Sequence, residues 1–327
     1  MRLLIALALL SAVRALSSWY TAPGGTPAGS VPGDKIRGVD LGGWFILSSH
    51  GKAAGKLDDA GFLRCLAFGS AGYTRREDFE PYVQGQLPYL ERALYWSDEY
   101  GIDVLLDLHG LPGGQNGQDN QGRQGPIEFQ ANSTNMNRAM MALANMTETA
   151  TANRFNGVVK AIELTNEPYI LEYAPNGMEF NTLADFYVQG YATVRASENI
   201  ISGSNEVMVV IHDAFQPLLN WEYFWSEPSL GLNWTNYALD THIYDAFGGS
   251  SGKSDQEHLD TICAMASDIS AAQAKYPVIV GEFSIGTNTY CVDYQSCFGA
   301  SLGDTIANLT NSEASLFLRQ FWEVQVD

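Results

Sequence analysis

Two glutamates end apolar segments of this 327-residue sequence and are its leading candidates for chemistry. Glu167 lies in AIELTNEP, where Pro168 closes the apolar run, and Glu282 lies in PVIVGEFS. Two carboxylates brought together from separate strands are what hydrolysis of a glycosidic bond requires, since one protonates the leaving oxygen and the other attacks the anomeric carbon. The alternative is that each is an ordinary strand-end residue, and the pairing of two such motifs favours the catalytic interpretation.

Further polar side chains stand at the ends of similar segments. His109 follows the apolar run in IDVLLDLHG, and His242 and Tyr244 close YALDTHIY. A single histidine is more often a satisfied polar group, but two of only five histidines fall at predicted strand ends. We therefore expect His109 and His242 to contact substrate, and Tyr244 either to hold the nucleophile by a hydrogen bond or to pack as an aromatic residue.

Two features of the sequence, a loop and a set of aromatic residues, each allow more than one interpretation. Residues 113–122 read GGQNGQDNQG and contain no lysine, which makes the loop a poor phosphate cradle. The loop is either flexible or a rim of amides matched to sugar hydroxyls. Aromatic residues that could stack on sugar faces are Trp221, Tyr223, Phe224, Trp225 and Phe247. Most of these are expected in the core, and only Phe247 is placed by a motif.

Short apolar segments alternate with helical patterns along the chain. Strands are predicted at residues 102–108, 158–164, 207–211, 237–244 and 277–283, with a further candidate near 62–68. Helices are predicted at residues 83–100, 183–198, 256–275 and 313–324. Apolar, β-branched strands of this kind are typical of parallel sheets buried on both faces.

This alternation predicts an α/β fold, a (β/α)8 TIM barrel with catalytic residues at the carboxyl ends of its strands. A doubly wound sheet is the alternative, but no glycine-rich nucleotide fingerprint follows any strand. Six or seven strands can be counted where a closed barrel needs eight. The sequence therefore predicts one barrel domain over residues 18–327, incomplete in the region of its second strand and lacking its eighth.

The net charge of the chain and its sequence signals for export limit the partners and the location that we expect. The chain carries 37 acidic and 18 basic side chains, a formal charge of −19, which argues against nucleic acid and anionic membranes and leaves a neutral ligand such as a sugar. Residues 1–17 read as a secretory signal peptide, so we expect a secreted protein. Four N-glycosylation sequons agree with export, at Asn132, Asn145, Asn233 and Asn308. The four cysteines, which fit one or two disulfides, are Cys65, Cys263, Cys291 and Cys297.

The motifs together resemble the fungal exo-β-1,3-glucanases of glycoside hydrolase family five. The resemblance covers residues 36–48 and 81–327 and rests on IRGVDLGGWF, DLHGLPGGQNGQDNQG, AIELTNEP, VIHDAF, DTHIYDAF and VIVGEFS. It implies a (β/α)8 barrel and no metal, and we expect no other cofactor and a monomer. It also implies a retaining reaction that releases glucose from secreted or cell-wall β-1,3-glucan.

The resemblance also implies individual roles. Glu167 matches the family's acid/base, Glu282 its nucleophile, and Asn166 the residue that hydrogen-bonds the sugar 2-hydroxyl. His109, His242 and Tyr244 match residues that bind the sugar or orient the nucleophile. Phe247 matches one half of an aromatic pair at the pocket entrance, whose other half falls at Gln118 and is not aromatic.

Two departures from the family pattern keep alternatives open. Residues 48–80 are shorter than and unlike the family segment that supplies an arginine supporting the nucleophile, a role for which Arg64 is the candidate. The family also continues past the 313–324 helix to a strand ending in a tryptophan that floors the sugar site. The alternatives are a β-glucan-binding wall protein with impaired catalysis and a sibling endo-β-glucanase or cellulase.

Overall fold

A computed structural model describes residues 67–69, 87–121, 124–155, 157–198, 206–247, 250, 253–287 and 312–326. These residues belong to two compact units. The first contains residues up to Gln216 together with Tyr223–Leu239, and the second contains Pro217–Glu222 together with residues from Asp240 onward. The prediction of one barrel domain over residues 18–327 stays a prediction.

Parallel strands form the centre of the first unit. Their bounds are β1 Ala67–Gly69, β2 Val104–Gly110, β3 Val159–Glu163 and β4 Met208–His212. Each strand pairs in parallel with the next one along the chain, and the register sets Asp107 of β2 opposite Glu163 of β3. Every residue of β4 is buried, as expected for a strand covered on both faces. The carboxyl ends of these strands therefore lie at one edge of the sheet.

Three helices follow the strands of the first unit: α1 Leu87–Tyr100, α2 Ser133–Ala150 and α3 Phe180–Ser197. Gly190 of α3 lies so close to its neighbours that a Cβ there would be 2.9 Å from Leu164 and 3.3 Å from Leu143 of α2. Glycine at this position thus lets α3 pack tightly over β3 and α2.

Helix α2 is absent from the sequence prediction. Asn132 caps its first turn, because the Asn132 Oδ1 accepts a hydrogen bond from the Thr134 backbone N–H at 2.9 Å. The apolar part of its buried face is built mainly from small side chains, namely Ala139, Ala142, Leu143, Met146 and Ala150. The same face also buries Asn135, Arg138 and Thr147, so the apolar residues give a weak periodic signal.

The second unit contains most of β5 and the elements that follow it. Strand β5 runs Tyr237–Ile243, with its first three residues in the first unit, and the short helix α4, Trp221–Ser226, likewise carries residues of both units. The remaining elements are α5 Asp255–Gln273, β6 Val278–Phe283 and α6 Ser312–Val326. Ile262 of α5 packs with Phe317 and Phe321 of α6 to form the core of this unit.

The predicted parallel α/β architecture is confirmed. The predicted strands that begin at residues 102, 158, 207, 237 and 277 all form, with bounds shifted by at most two residues. The described residues contain six of the eight strands of a closed barrel. Within this part of the chain, the helices are too short or too polar to cross a membrane.

Several sequence predictions lie outside the described residues. They are the signal peptide at 1–17, the motif at 36–45, Arg64, the sequon at Asn308, and Cys65, Cys291 and Cys297. Cys263 is exposed on α5 and forms no disulfide within the described part of the chain. The predicted disulfides and the altered second strand therefore stay predictions.

Candidate active site

Glu167 lies four residues beyond the end of β3 and is held by a side chain from the loop after β2. The Asn120 Nδ2 donates a hydrogen bond to the Glu167 Oε2 at 2.7 Å. Glu167 also has a φ of 42°, in the left-handed region that non-glycine residues rarely adopt. Such backbone strain persists only where the surroundings enforce it, and it is concentrated at functional sites. The half-buried carboxylate is thus fixed both by its backbone and by Asn120.

His109 and Asn166 form a buried hydrogen-bonded chain beside Glu167. The His109 Nδ1 lies 2.6 Å from the Asp107 Oδ2, and its Nε2 lies 3.3 Å from the Asn166 Nδ2. Because a carboxylate only accepts, the imidazole carries its proton on Nδ1 and leaves Nε2 to accept from the Asn166 amide. That arrangement fixes which way the Asn166 amide points. It also joins His109 and Asn166, two site residues predicted from separate strand ends, and adds Asp107 to them.

The loop amides mainly build the loop itself. Gln115 is completely buried, and its Nε2 donates to the backbone oxygens of His109 at 2.7 Å and Asn166 at 2.9 Å. The Gln121 Oε1 accepts from the backbone N–H groups of Asn116 and Gly117. Gln118, by contrast, is exposed. The glutamine-rich composition therefore indicates an internally braced loop that reaches both site residues of the NEP motif.

His212 ends β4, and one of its ring nitrogens lies within 4.8 Å of a Glu167 carboxylate oxygen, although the sequence patterns did not identify it as a site residue. Its side chain is fully buried, and its Nδ1 accepts a hydrogen bond from the Ala214 N–H at 2.9 Å, which places the proton on Nε2. The VIHDAF segment, which is part of the family resemblance, was the signal that could have identified it. Asn120 and Gln115 carried no comparable local signal, because their partners lie 47 and 51 residues away.

In the second unit, Glu282 lies on β6 and receives a hydrogen bond from Tyr244. The Tyr244 hydroxyl donates to the Glu282 Oε2 at 2.6 Å, and the His242 Nδ1 lies 3.5 Å from the same oxygen. The other His242 nitrogen, Nε2, lies 3.3 Å from the Asp240 Oδ2. Only 16% of the Glu282 side chain is exposed. The structure therefore brings two predicted site residues, His242 and Tyr244, to the predicted Glu282 carboxylate, and it adds Asp240 beside His242.

Gly281, immediately before Glu282, is required by this packing. Its N–H donates to the Asp240 Oδ1 at 2.6 Å, and a Cβ at position 281 would lie 2.2 Å from the Asp240 Oδ2. A side chain there would displace the carboxylate that lies 3.3 Å from the His242 Nε2. The glycine of the GEF motif thus admits a buried carboxylate beside the strand.

The segment after Tyr244 is anchored by a buried charge cluster. Only 3% of the Asp245 side chain is exposed, and its carboxylate lies 2.6 Å from the Lys253 Nζ and 2.7 Å from the His258 Nδ1. The Ser250 hydroxyl also donates to it. Burial alone would raise the pKa of Asp245, but hydrogen bonds from Lys253, Ser250 and His258 together hold that pKa below its usual value. Phe247, 53% exposed, lies on the same segment with its ring 6.0 Å from that of Tyr244.

Asp245→Asn should destabilise the protein most at neutral pH. Loss of charged hydrogen bonds should lower the free energy of unfolding by about 1–3 kcal/mol. Because the folded pKa lies below the unfolded one, the carboxylate stabilises the fold above about pH 4 and loses that contribution as pH falls through the folded pKa. Thermal unfolding of both proteins should therefore show a Tm gap that narrows below about pH 4. The exposed Asp268 on α5 offers a matched control, Asp268→Asn, whose Tm should stay close to that of the parent protein at both pH values. A Tm gap between Asp245→Asn and the parent protein that is equal at pH 3 and pH 7 would contradict the assignment.

Each unit carries a glutamate that lies on or just beyond a strand and accepts a hydrogen bond. The Asn120 amide donates to Glu167 in the first unit, and the Tyr244 phenol donates to Glu282 in the second. In an α/β fold, such glutamates define the class of the α/β-barrel glycoside hydrolases, in which strand-end carboxylates perform the chemistry.

Comparison with known proteins narrows the class to a family. A glucan 1,3-beta-glucosidase from Blumeria graminis is 34% identical over 314 residues, covering 81% of this chain and 68% of that protein. A probable glucan 1,3-beta-glucosidase A from Emericella nidulans is 30% identical over 303 residues, covering 80% of this chain and 69% of that protein. The chain therefore belongs to the glucan 1,3-beta-glucosidase family, as the resemblance predicted.

A solved structure supports the fold independently. The rutinosidase from Aspergillus niger matches with a TM-score of 0.52 at 22% identity, covering 67% of this chain and 60% of the other. The chain thus spans about 60% of that structure. A scan against protein-family models gives no match.

Proposed function

We propose that this protein is a retaining glucan 1,3-β-glucosidase that releases glucose from the ends of β-1,3-glucan, in cell-wall glucan metabolism. The observation that carries the proposal is the hydrogen bond from Tyr244 to Glu282 in a chain of the glucan 1,3-beta-glucosidase family. A nucleophilic carboxylate must stay ionised and correctly oriented, and a phenol donor favours both conditions. The uncharged substrate is compatible with the chain's formal charge of −19.

In the first step, a Glu282 oxygen attacks the anomeric carbon while the bond from that carbon to the leaving oxygen breaks. Glu167 gives its proton to the leaving oxygen, so the glucan departs as a neutral alcohol. Asn120 donates to the Glu167 Oε2 and so helps to orient the carboxyl group that delivers the proton. The product of this step is a glucosyl ester of Glu282.

In the second step, Glu167, now ionised, takes a proton from water, and the water oxygen attacks the anomeric carbon. The ester bond breaks, Glu282 is restored as a carboxylate, and glucose leaves with its original configuration. The chain of hydrogen bonds from Asp107 through His109 to Asn166 holds an amide beside the acid/base. We assign Asn166 to the sugar 2-hydroxyl, where a hydrogen bond strengthens as positive charge develops on the ring.

His109, His242 and Phe247 complete the proposed substrate contacts. His242 is held between Asp240 and Glu282, so its ring is oriented before substrate binds. Phe247 offers an exposed ring for stacking on a sugar face. We further propose that the protein is secreted, on the strength of the signal-like residues 1–17 and the sequons, and that it acts as a monomer.

The experiment is hydrolysis of laminarin, a β-1,3-glucan, by the purified protein, with cellulose as the competing substrate. Glucose as the sole early product from laminarin would support the proposal. Binding without release would favour a β-glucan-binding wall protein, and oligosaccharides from cellulose would favour an endo-β-glucanase. Proton NMR of the first product gives the anomeric configuration, and an inverted product would contradict the retaining mechanism.

A further inference from the structure

Three aromatic rings in the first unit form a cluster that the proposed mechanism does not use. Tyr173 stacks on Phe215 with ring centroids 4.6 Å apart and an interplanar angle of 23°. Tyr169 meets both rings edge-on, at 4.9 Å from Tyr173 and 5.7 Å from Phe215. Tyr173 is 48% exposed, whereas the other two rings are half-buried. We call these three residues the Tyr173 platform.

The backbone holds the platform in place from both sides. Tyr169 and Met178 bracket a short loop, because the Met178 N–H donates to the Tyr169 oxygen at 2.8 Å and the Leu171 N–H donates to the Met178 oxygen at 3.0 Å. Phe215 has a φ of 57° and follows Ala214, whose φ is 52°. Two consecutive left-handed residues other than glycine are unfavourable and persist only where the surroundings enforce them. The platform is thus a fixed surface.

The platform adjoins the proposed acid/base. Tyr169 follows Glu167 by two residues, and its ring contacts Tyr173. Burial raises the pKa of the Tyr173 hydroxyl above its usual value, and the negative charge of Glu167 raises it further. The raised pKa keeps the hydroxyl protonated at neutral pH. Contacts also link the platform to the carboxylate, because the Phe215 ring is 5.2 Å from that of His212, and a His212 nitrogen lies within 4.8 Å of a Glu167 oxygen.

We propose that the Tyr173 platform binds the sugar ring on the leaving side of the cleaved bond, an inference that rests on the proposed function. The acid/base must adjoin the leaving oxygen, so a surface beside Glu167 faces the departing part of the chain. An enzyme that removes terminal units encloses the terminal sugar and leaves the polymer in solvent, which suits a half-exposed ring. A β-linked glucose carries its hydroxyls equatorially, and its C–H faces form an apolar surface that stacks on an aromatic ring.

The test compares two substrates that differ only on the leaving side. Laminaritriose has a sugar there, whereas β-glucosyl fluoride has none. Tyr173→Ala should lower kcat/KM for laminaritriose about tenfold, mainly through KM, in line with the size of an aromatic stacking contact. It should leave kcat/KM for glucosyl fluoride within about twofold, because that substrate makes no contact with the platform. Tyr173→Phe should retain parental values on both substrates.

The exposed Tyr100 at the end of α1 gives a matched control, Tyr100→Ala, which should leave both substrates unaffected. Parallel losses on both substrates from Tyr173→Ala would overturn the proposal in favour of a structural role, and unchanged kinetics on laminaritriose would overturn it outright.

A second measurement is independent of turnover. Calorimetry of laminaritriose binding in a Glu282→Gln background should show about tenfold weaker affinity when Tyr173→Ala is added, and equal affinities would refute the platform even if the parent protein hydrolyses nothing.

Discussion

Glu282→Gln should lower kcat for laminarin to less than about 1% of the parent value, because the covalent step needs a carboxylate nucleophile. The side chain keeps its shape, and its amide oxygen can still accept the hydrogen bond from Tyr244 that the structure shows at 2.6 Å. The loss should therefore appear in turnover while laminaritriose still binds. Initial rates of glucose release and calorimetric binding measure the two quantities separately.

A matched control is available for Glu282→Gln in the same unit. Glu323 on α6 is exposed and pairs only with the nearby Arg319 among the described residues, so Glu323→Gln should retain parental kcat. Thermal unfolding of both variants would exclude a folding defect. If Glu282→Gln keeps more than about 1% of the parent rate, another group supplies the nucleophile and the assignment fails.

Glu167→Gln should produce a loss that depends on the leaving group. For laminarin, whose leaving alcohol needs a proton, kcat/KM should fall about 10²- to 10⁴-fold. For β-glucosyl fluoride the first step needs no strong acid, so kcat/KM should fall far less. The second step then lacks its base, and the glucosyl ester of Glu282 should accumulate and appear in intact-protein mass spectrometry.

Azide gives a direct check on this role. Azide attacks the anomeric carbon without needing its proton removed, so it should restore turnover of glucosyl fluoride by Glu167→Gln and yield β-glucosyl azide. The exposed Glu128, in the same unit, gives the control Glu128→Gln. Its kcat/KM for both substrates should equal the parental value, and azide should not change its turnover. An equal loss on both substrates, with no effect of azide, would show that Glu167 does not transfer the proton.

The strands were predictable because their signal is local. Segments such as VMVVI are short, apolar and β-branched, and burial of β4 on both faces leaves little choice of conformation. Helix α2 was missed because its buried face mixes small and apolar residues with the polar Asn135, Arg138 and Thr147, so its periodic pattern has little contrast. The helix is instead set by the Asn132 cap and by its packing against α3, which only the folded chain reveals.

The site residues likewise include some that the sequence could predict and some that it could not. The strand-end glutamates, histidines and Tyr244 stood out because a polar residue closing an apolar run is visible in a few consecutive letters. Asn120, Gln115 and Asp245 could not be recognised from the sequence, because their roles depend on hydrogen-bond partners that folding brings near. Those partners are Glu167, Asn166 and His258, respectively. Composition showed only that the loop was rich in amides. Which amides brace the loop and which one reaches Glu167 depends on tertiary structure.

The reach of that loop limits how this enzyme family can be engineered. Loops after barrel strands are usually treated as exchangeable parts that alter substrate choice without touching the catalytic frame. Here the loop after β2 carries Asn120 to the Glu167 carboxylate and Gln115 to the backbone of Asn166. A loop grafted from a relative would therefore have to keep both residues at their positions, because a library that randomises this loop would also change the hydrogen bonds to Glu167 and Asn166.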